Sequence, residues 1–125
     1  MNNILQDLTL KSPEVDCRMI SMLRVSMGDD ECRELVDEVS FEVIDRLSRI
    51  ERAVASGDTD EIKNLALGIV SYASRIGLQE VVVAAHNLSK CADSDDTTAL
   101  CAVGARLIRI GEKSLYTAMM LTDDD

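Results

Sequence analysis

A chain of 125 residues supplies one domain with a single core, and that core is aliphatic: 46% of residues are hydrophobic, yet there is one Phe, two Tyr and no Trp. The net charge of −10, from 23 acidic against 13 basic residues, argues against nucleic acid, because a phosphate backbone calls for clustered Lys and Arg. It also disfavours anionic membrane surfaces. The one basic grouping, Arg46, Arg49 and Arg52, is interleaved with Asp45 and Glu51 and reads as a solvated helix face with i,i+3 and i,i+4 ion pairs.

No apolar run approaches the roughly 20 residues of a membrane span. The start, Met1-Asn2-Asn3-Ile4-Leu5, lacks the basic and apolar regions of a signal peptide, so a cytoplasmic location is expected. Cys17, Cys32, Cys91 and Cys101 have no C-x-x-C spacing and no histidine at zinc-finger distance. They are expected to be reduced thiols, buried or half-buried, and neither metal nor cofactor is expected.

In chain order, Ser12-Pro13-Glu14 reads as N-cap, N1 proline and acidic first turn of a helix that runs to about Met27 and stops at Gly28. Asp29 and Asp30 are expected to cap a long second helix that ends near Ser56-Gly57. Its apolar stripe is Val36, Val39, Val43, Leu47, Ile50 and Val54, threes and fours apart. Asp58 with Glu61 resembles a capping box for a third helix that Gly77 ends. The fourth runs from about Leu78 to Ala92, with Leu78, Val81, Ala85, Leu88 and Ala92 inside. Val81-Val82-Val83 is the one strand-like run, and it keeps a helical period. Asp93 to Thr98 is the one obvious loop. The fifth helix shows Leu100, Val103, Leu107 and Ile110 before a frayed end at Thr122-Asp123-Asp124-Asp125.

Short loops between long amphipathic helices predict an all-α fold, an up-down antiparallel four-helix bundle with an additional N-terminal helix. One domain over 1–125 is expected, with loosely ordered tails at 1–11 and 121–125.

On the third helix, Ile62, Leu65, Ala66, Ile69, Ala73 and Ile76 cluster on one side. Leu67 points about 140° away from that stripe on an ideal helix. Its surface neighbours are Lys63, Val70, Ser71 and Ser74. Periodicity thus predicts an exposed leucine beside a valine and a lysine, a small docking spot.

The segment Gly57-Asp58-Thr59-Asp60-Glu61-Ile62-Lys63-Asn64-Leu65-Ala66-Leu67, running on to Ile76-Gly77, resembles the phospho-accepting segment of histidine-containing phosphotransfer (HPt) domains. Those have GD, three variable residues, an apolar residue, a short run ending in A-H, and L-G ten residues beyond the histidine. Leu67 stands at the histidine position. The resemblance covers about Asp29 to Leu115 and implies a helix whose outward face meets a receiver domain's aspartyl phosphate. After the histidine the family carries x-L-K-G, where the lysine helps to neutralise the phosphoryl group. Here Gly68, Ile69, Val70 and Ser71 stand there: Ile69 fits the core position and Ser71 is nearly as small as Gly. The nucleophile and the charge are both missing, which implies a degenerate member that has lost phosphotransfer.

His86, the one histidine, lies in Ala85-His86-Asn87-Leu88-Ser89-Lys90 and points away from its helix's core stripe, with Lys90 one turn on. An exposed imidazole near a cation is what a phosphorylatable histidine needs, but no G-D precedes it at the family's distance, and Asp96 falls where the family has glycine. No E-x-x-H motif, Gly-rich phosphate loop or serine–base pair is present. Glu31, Glu34 and Glu38 read as the acidic start of a helix.

The leading expectation is a two-component phosphorelay module, not an enzyme in itself. It docks a response-regulator receiver domain or a sensor histidine kinase through Lys63, Leu67, Val70, Ser71 and Ser74, and passes no phosphate. A carrier phosphorylated on His86 is one alternative. A helical adaptor or dimerisation bundle anchored by Phe41 is another, although a monomer is favoured.

Overall fold

The computed structural model describes residues 17–123, the side chain of Cys17 excepted. The helix start at Ser12-Pro13, the expected tail at 1–11 and Asp124-Asp125 lie outside the described residues. Five helices follow one another: α1 (Cys17–Met27), α2 (Asp29–Ser56), α3 (Thr59–Arg75), α4 (Gln79–Cys91) and α5 (Thr97–Thr122). No strand occurs among the described residues, and Val81-Val82-Val83 is helical.

Helices α2 to α5 pack in a ring, each on its two chain neighbours and α5 back on α2, while α1 lies across one end against α2 and α5. This is the up-down bundle with an added N-terminal helix. The core is aliphatic throughout, with Val36, Val39, Val43, Leu47 and Ile50 of α2 facing Ile62, Ile69, Ile76, Leu88, Leu107 and Leu115.

The helix ends follow local chemistry. Gly57 closes α2 in the left-handed conformation, φ 72°, and its N–H and that of Asp58 satisfy carbonyls of the last turn. The Asp58 side chain accepts from the Glu61 N–H at 3.2 Å, while the Asp58 N–H donates to the Ala53 carbonyl. Only one half of the expected capping box therefore forms. Gly77, φ 75°, follows the last turn of α3.

Four expectations are corrected. Gly28, not an aspartate, is the N-cap of α2, and Asp29 and Asp30 sit inside its first turn, where they complement the helix dipole. The loop before α5 is shorter, because the Asp96 side chain caps the helix by accepting from the Ala99 N–H at 2.9 Å. Val103 and Ile110 are half-buried rather than central, and the inner line of α5 is Leu100, Gly104, Leu107, Gly111, Leu115 and Ala118. Leu121 and Thr122, expected in a loose tail, continue the helix: Thr122 is buried, and Arg24 and Arg33 donate to the carbonyls of Leu121 and Thr122.

Two glycines of α5 set the spacing of one seam. A Cβ on Gly111 would lie 2.7 Å from Leu47 Cδ1, and one on Gly104 3.3 Å from Val54 Cγ2. These contacts also fix the antiparallel register, with Leu47 level with Gly111 and Val54 level with Gly104.

Candidate docking face

Helix α3 turns Ile62, Leu65, Ala66, Ile69, Ala73 and Ile76 inward, all buried, as the sequence period requires. The opposite side of the same helix must then face out, and Leu67 at its centre is 55% exposed. Asn64, Ser71 and Ser74 are exposed around it, and Lys63 and Val70 are half-buried. Ser74 turns its hydroxyl back onto the Val70 carbonyl at 2.7 Å, so its side chain is partly committed to the helix.

The flanks come from the neighbouring helices. On the α4 side Lys63 forms an ion pair with Asp93. Ser74 and Val82 line one small cleft near the turn into α4. The ion pair and the shared cleft have a common antiparallel offset, and it sets His86 roughly level with Val70. The imidazole is exposed. It therefore occupies the neighbouring helix beside Val70, about one interhelical spacing (~10 Å) away.

On the α2 side lies an arrangement that sequence reasoning misses. Arg46 lies across α3 at Gly68, where an added Cβ would come within 2.5 Å of the Arg46 Nε. Its Nη1 donates to both the carbonyl and the carboxylate of Glu42, at 3.0 and 2.7 Å. Its guanidinium carbon stands 4.9 Å from the centre of the Tyr72 ring. Arg75 lies 5.9 Å from the same ring centre and pairs with Glu38 at 3.7 Å. Arg49 pairs with Asp45 as a solvated face predicts, but Arg46, its side chain 24% exposed, is held against α3. A glycine in mid-helix, next to the key position, is the signal that was available: it costs helix stability and marks a close approach.

The face thus has an apolar centre at Leu67, cations at Lys63 and Arg46 on its two sides, and an imidazole within one helix of it. The Leu67 side chain can pack but cannot accept a phosphoryl group, and Val70 offers no charge. No group of three or more metal-ligating side chains occurs among the described residues. None of the described helices is long and apolar enough to cross a membrane.

Among the thiols, Cys32 is buried and Cys91 half-buried, whereas Cys101 is exposed, against the expectation for all four. It lies on the outer side of α5, one residue past buried Leu100. Burial pushes the Cys32 thiol above its ordinary value of 9.0, which nearby Arg24 only partly offsets.

No protein-family model matches the sequence, and no curated protein matches it either. Among solved structures the chain is similar to the crystal structure of histidine-containing phosphotransfer protein B (HptB) from Pseudomonas aeruginosa PAO1, with a TM-score of 0.69 and 20% identity over 90% of this chain and 93% of that one. At this identity the likeness is one of fold: the bundle is HPt-like.

Proposed function

We propose that this protein is a phosphotransfer-like module of a two-component signalling system that docks a receiver or kinase domain without passing phosphate. The observation that carries the reading is the outward Leu67 of an HPt-like bundle, the residue that the sequence resemblance sets at the position of the phospho-accepting histidine. Lys63, Val70, Ser71 and Ser74 complete the contact set expected from sequence, and Arg46 joins it on the α2 side. An apolar centre with charges on both sides suits a small, transient interface.

Titration of the protein against a panel of receiver domains, with and without a phosphodonor, tests this. Leu67→Asp is expected to weaken binding at least ~10-fold, about 1.4 kcal/mol, while stability changes by no more than about 0.5 kcal/mol, as usual for an exposed position. Undiminished binding by that variant removes the docking face.

A second reading, a carrier phosphorylated on His86, is supported by the exposure of that imidazole beside Val70. Acid-labile label transferred from a phosphorylated receiver, and abolished in His86→Ala, would establish it. Binding without label supports the first reading.

A further inference from the structure

We propose that the outer face of α2 and α5 is a self-association surface, on which a second copy of this chain docks about a twofold axis parallel to the helices. The inference is independent of the receiver reading, because α3 lies diagonally across the bundle from α5. It departs from the monomer expected from sequence.

Four exposed apolar side chains frame this face: Phe41, 71% exposed, and Ile44 on α2, and Tyr116, 64% exposed, and Met119 on α5. Ile44, Tyr116 and Met119 line a groove of about 370 Å³, floored by Leu47, Ile108 and Leu115, and Phe41 stands one turn before Ile44 on α2. Solvated single apolar residues are ordinary, but three large ones around one groove, with a fourth a turn away, on a chain of net charge −10 mark an interaction surface.

Charge and register together select the occupant. The register fixed at Gly111 and Gly104 sets Asp45 level with Lys113, and Phe41 within one residue of Tyr116. A half-turn about an axis between the two helices, and parallel to them, lays α2 of one copy on α5 of the other and leaves every level unchanged. Phe41 then meets Tyr116 of the second copy, an aromatic pair of the kind that anchors interfaces. On ideal helical spacing, Asp45 and Lys113 both lean away from the groove between their own helices, so the same rotation brings Asp45 opposite Lys113 at each edge. The contact is isologous and closes on itself. Lys113 has no ion-pair partner among the described residues, so it is available to a carboxylate of a second copy. Two carboxylates also line the groove, Glu51 and Glu112, and Arg109 stands one turn from Glu112 on its own helix to moderate its charge.

Sedimentation of the full chain from micromolar to millimolar concentration tests the proposal. A concentration-dependent dimer is expected. Phe41→Asp should weaken it about 100-fold, and Asp45→Lys or Lys113→Glu alone about 10-fold each. Both reversals in one chain should recover part of the loss, because the pair re-forms with its signs exchanged, although Arg49, which pairs with Asp45 on its own helix, then faces a lysine. Phe41 and Lys113 are exposed and Asp45 half-exposed, so the variants are expected to keep the helical content and melting behaviour of the parent.

A chain that stays monomeric over the whole range overturns the proposal and leaves the face to residues 1–16 or to a different protein. A dimer indifferent to Phe41→Asp, or a double reversal no better than the single ones, also overturns it.

Discussion

Gly104 and Gly111 share one side of α5, yet a methyl group added to each meets different surroundings. At Gly104 the nearest atom would be 3.3 Å away, so alanine needs only a slight adjustment of Val54. Alanine there is expected to be neutral or to stabilise by up to about 1 kcal/mol, through helix propensity. At Gly111 the nearest atom would be at 2.7 Å, on a Leu47 that is itself buried. Overpacking of this kind costs about 1–3 kcal/mol, so Gly111→Ala is expected to destabilise despite the same gain in propensity. Urea unfolding of the two variants checks the contrast. The cysteines give a second pair of opposites. Exposed Cys101 should react at once with a thiol reagent, and buried Cys32 only as the chain unfolds. Because the native Cys32 thiol resists ionisation, the unfolded chain loses that proton first. Its contribution is therefore intact below the ordinary value of 9.0 and is lost as pH rises above it.

At the scale of the helix, α3 was almost fully legible. Its inward residues repeat at threes and fours with no glycine or polar interruption on the core side, so period alone fixes which way Leu67 faces. The capping aspartates were legible in part. Asp58 and Asp96 each accept from an N–H three residues on, and Asp58→Ala should cost about 1 kcal/mol in thermal unfolding while leaving docking through Leu67 intact. On α5 the expected Leu100 and Leu107 are buried, but Val103 and Ile110 yield their places to Gly104 and Gly111, because glycine carries no hydrophobic signal although it lines the closest seam. Arg46 was invisible for a related reason. On its own helix it looks like one step of a charged ladder, and what holds it against α3 is the missing Cβ of Gly68, more than twenty residues on. His86 was seen as exposed, but its closeness to the Leu67 face depends on the register between two helices, which no single-helix pattern contains. The Lys63–Asp93 pair spans α3 and the turn after α4; being partly exposed, it contributes at most about 1 kcal/mol.

Across the whole molecule the charge is uneven. Helix α2 carries nine acidic residues against four basic ones, whereas α5 carries Arg106, Arg109 and Lys113 against Glu112 alone. Folding gathers the excess of negative charge into a small volume, so salt should help the fold. Raising ionic strength from about 0.01 to 0.15 M is expected to stabilise it by roughly 1 kcal/mol, measured by chemical denaturation. Two copies of net charge −10 repel at long range, so the same change should also strengthen self-association, while the share contributed by the Asp45–Lys113 pairs falls.

The glycine seam between α2 and α5 has one more consequence. With the α5 backbone brought close against Leu47 at Gly111, the two helices are held near one another at that level, and the groove they frame is built by the fold itself rather than by whatever fills it. A partner that settles there finds a preorganised surface. The ordering entropy still to be lost falls chiefly on the side chains of Phe41 and Tyr116, two of the least flexible large residues available.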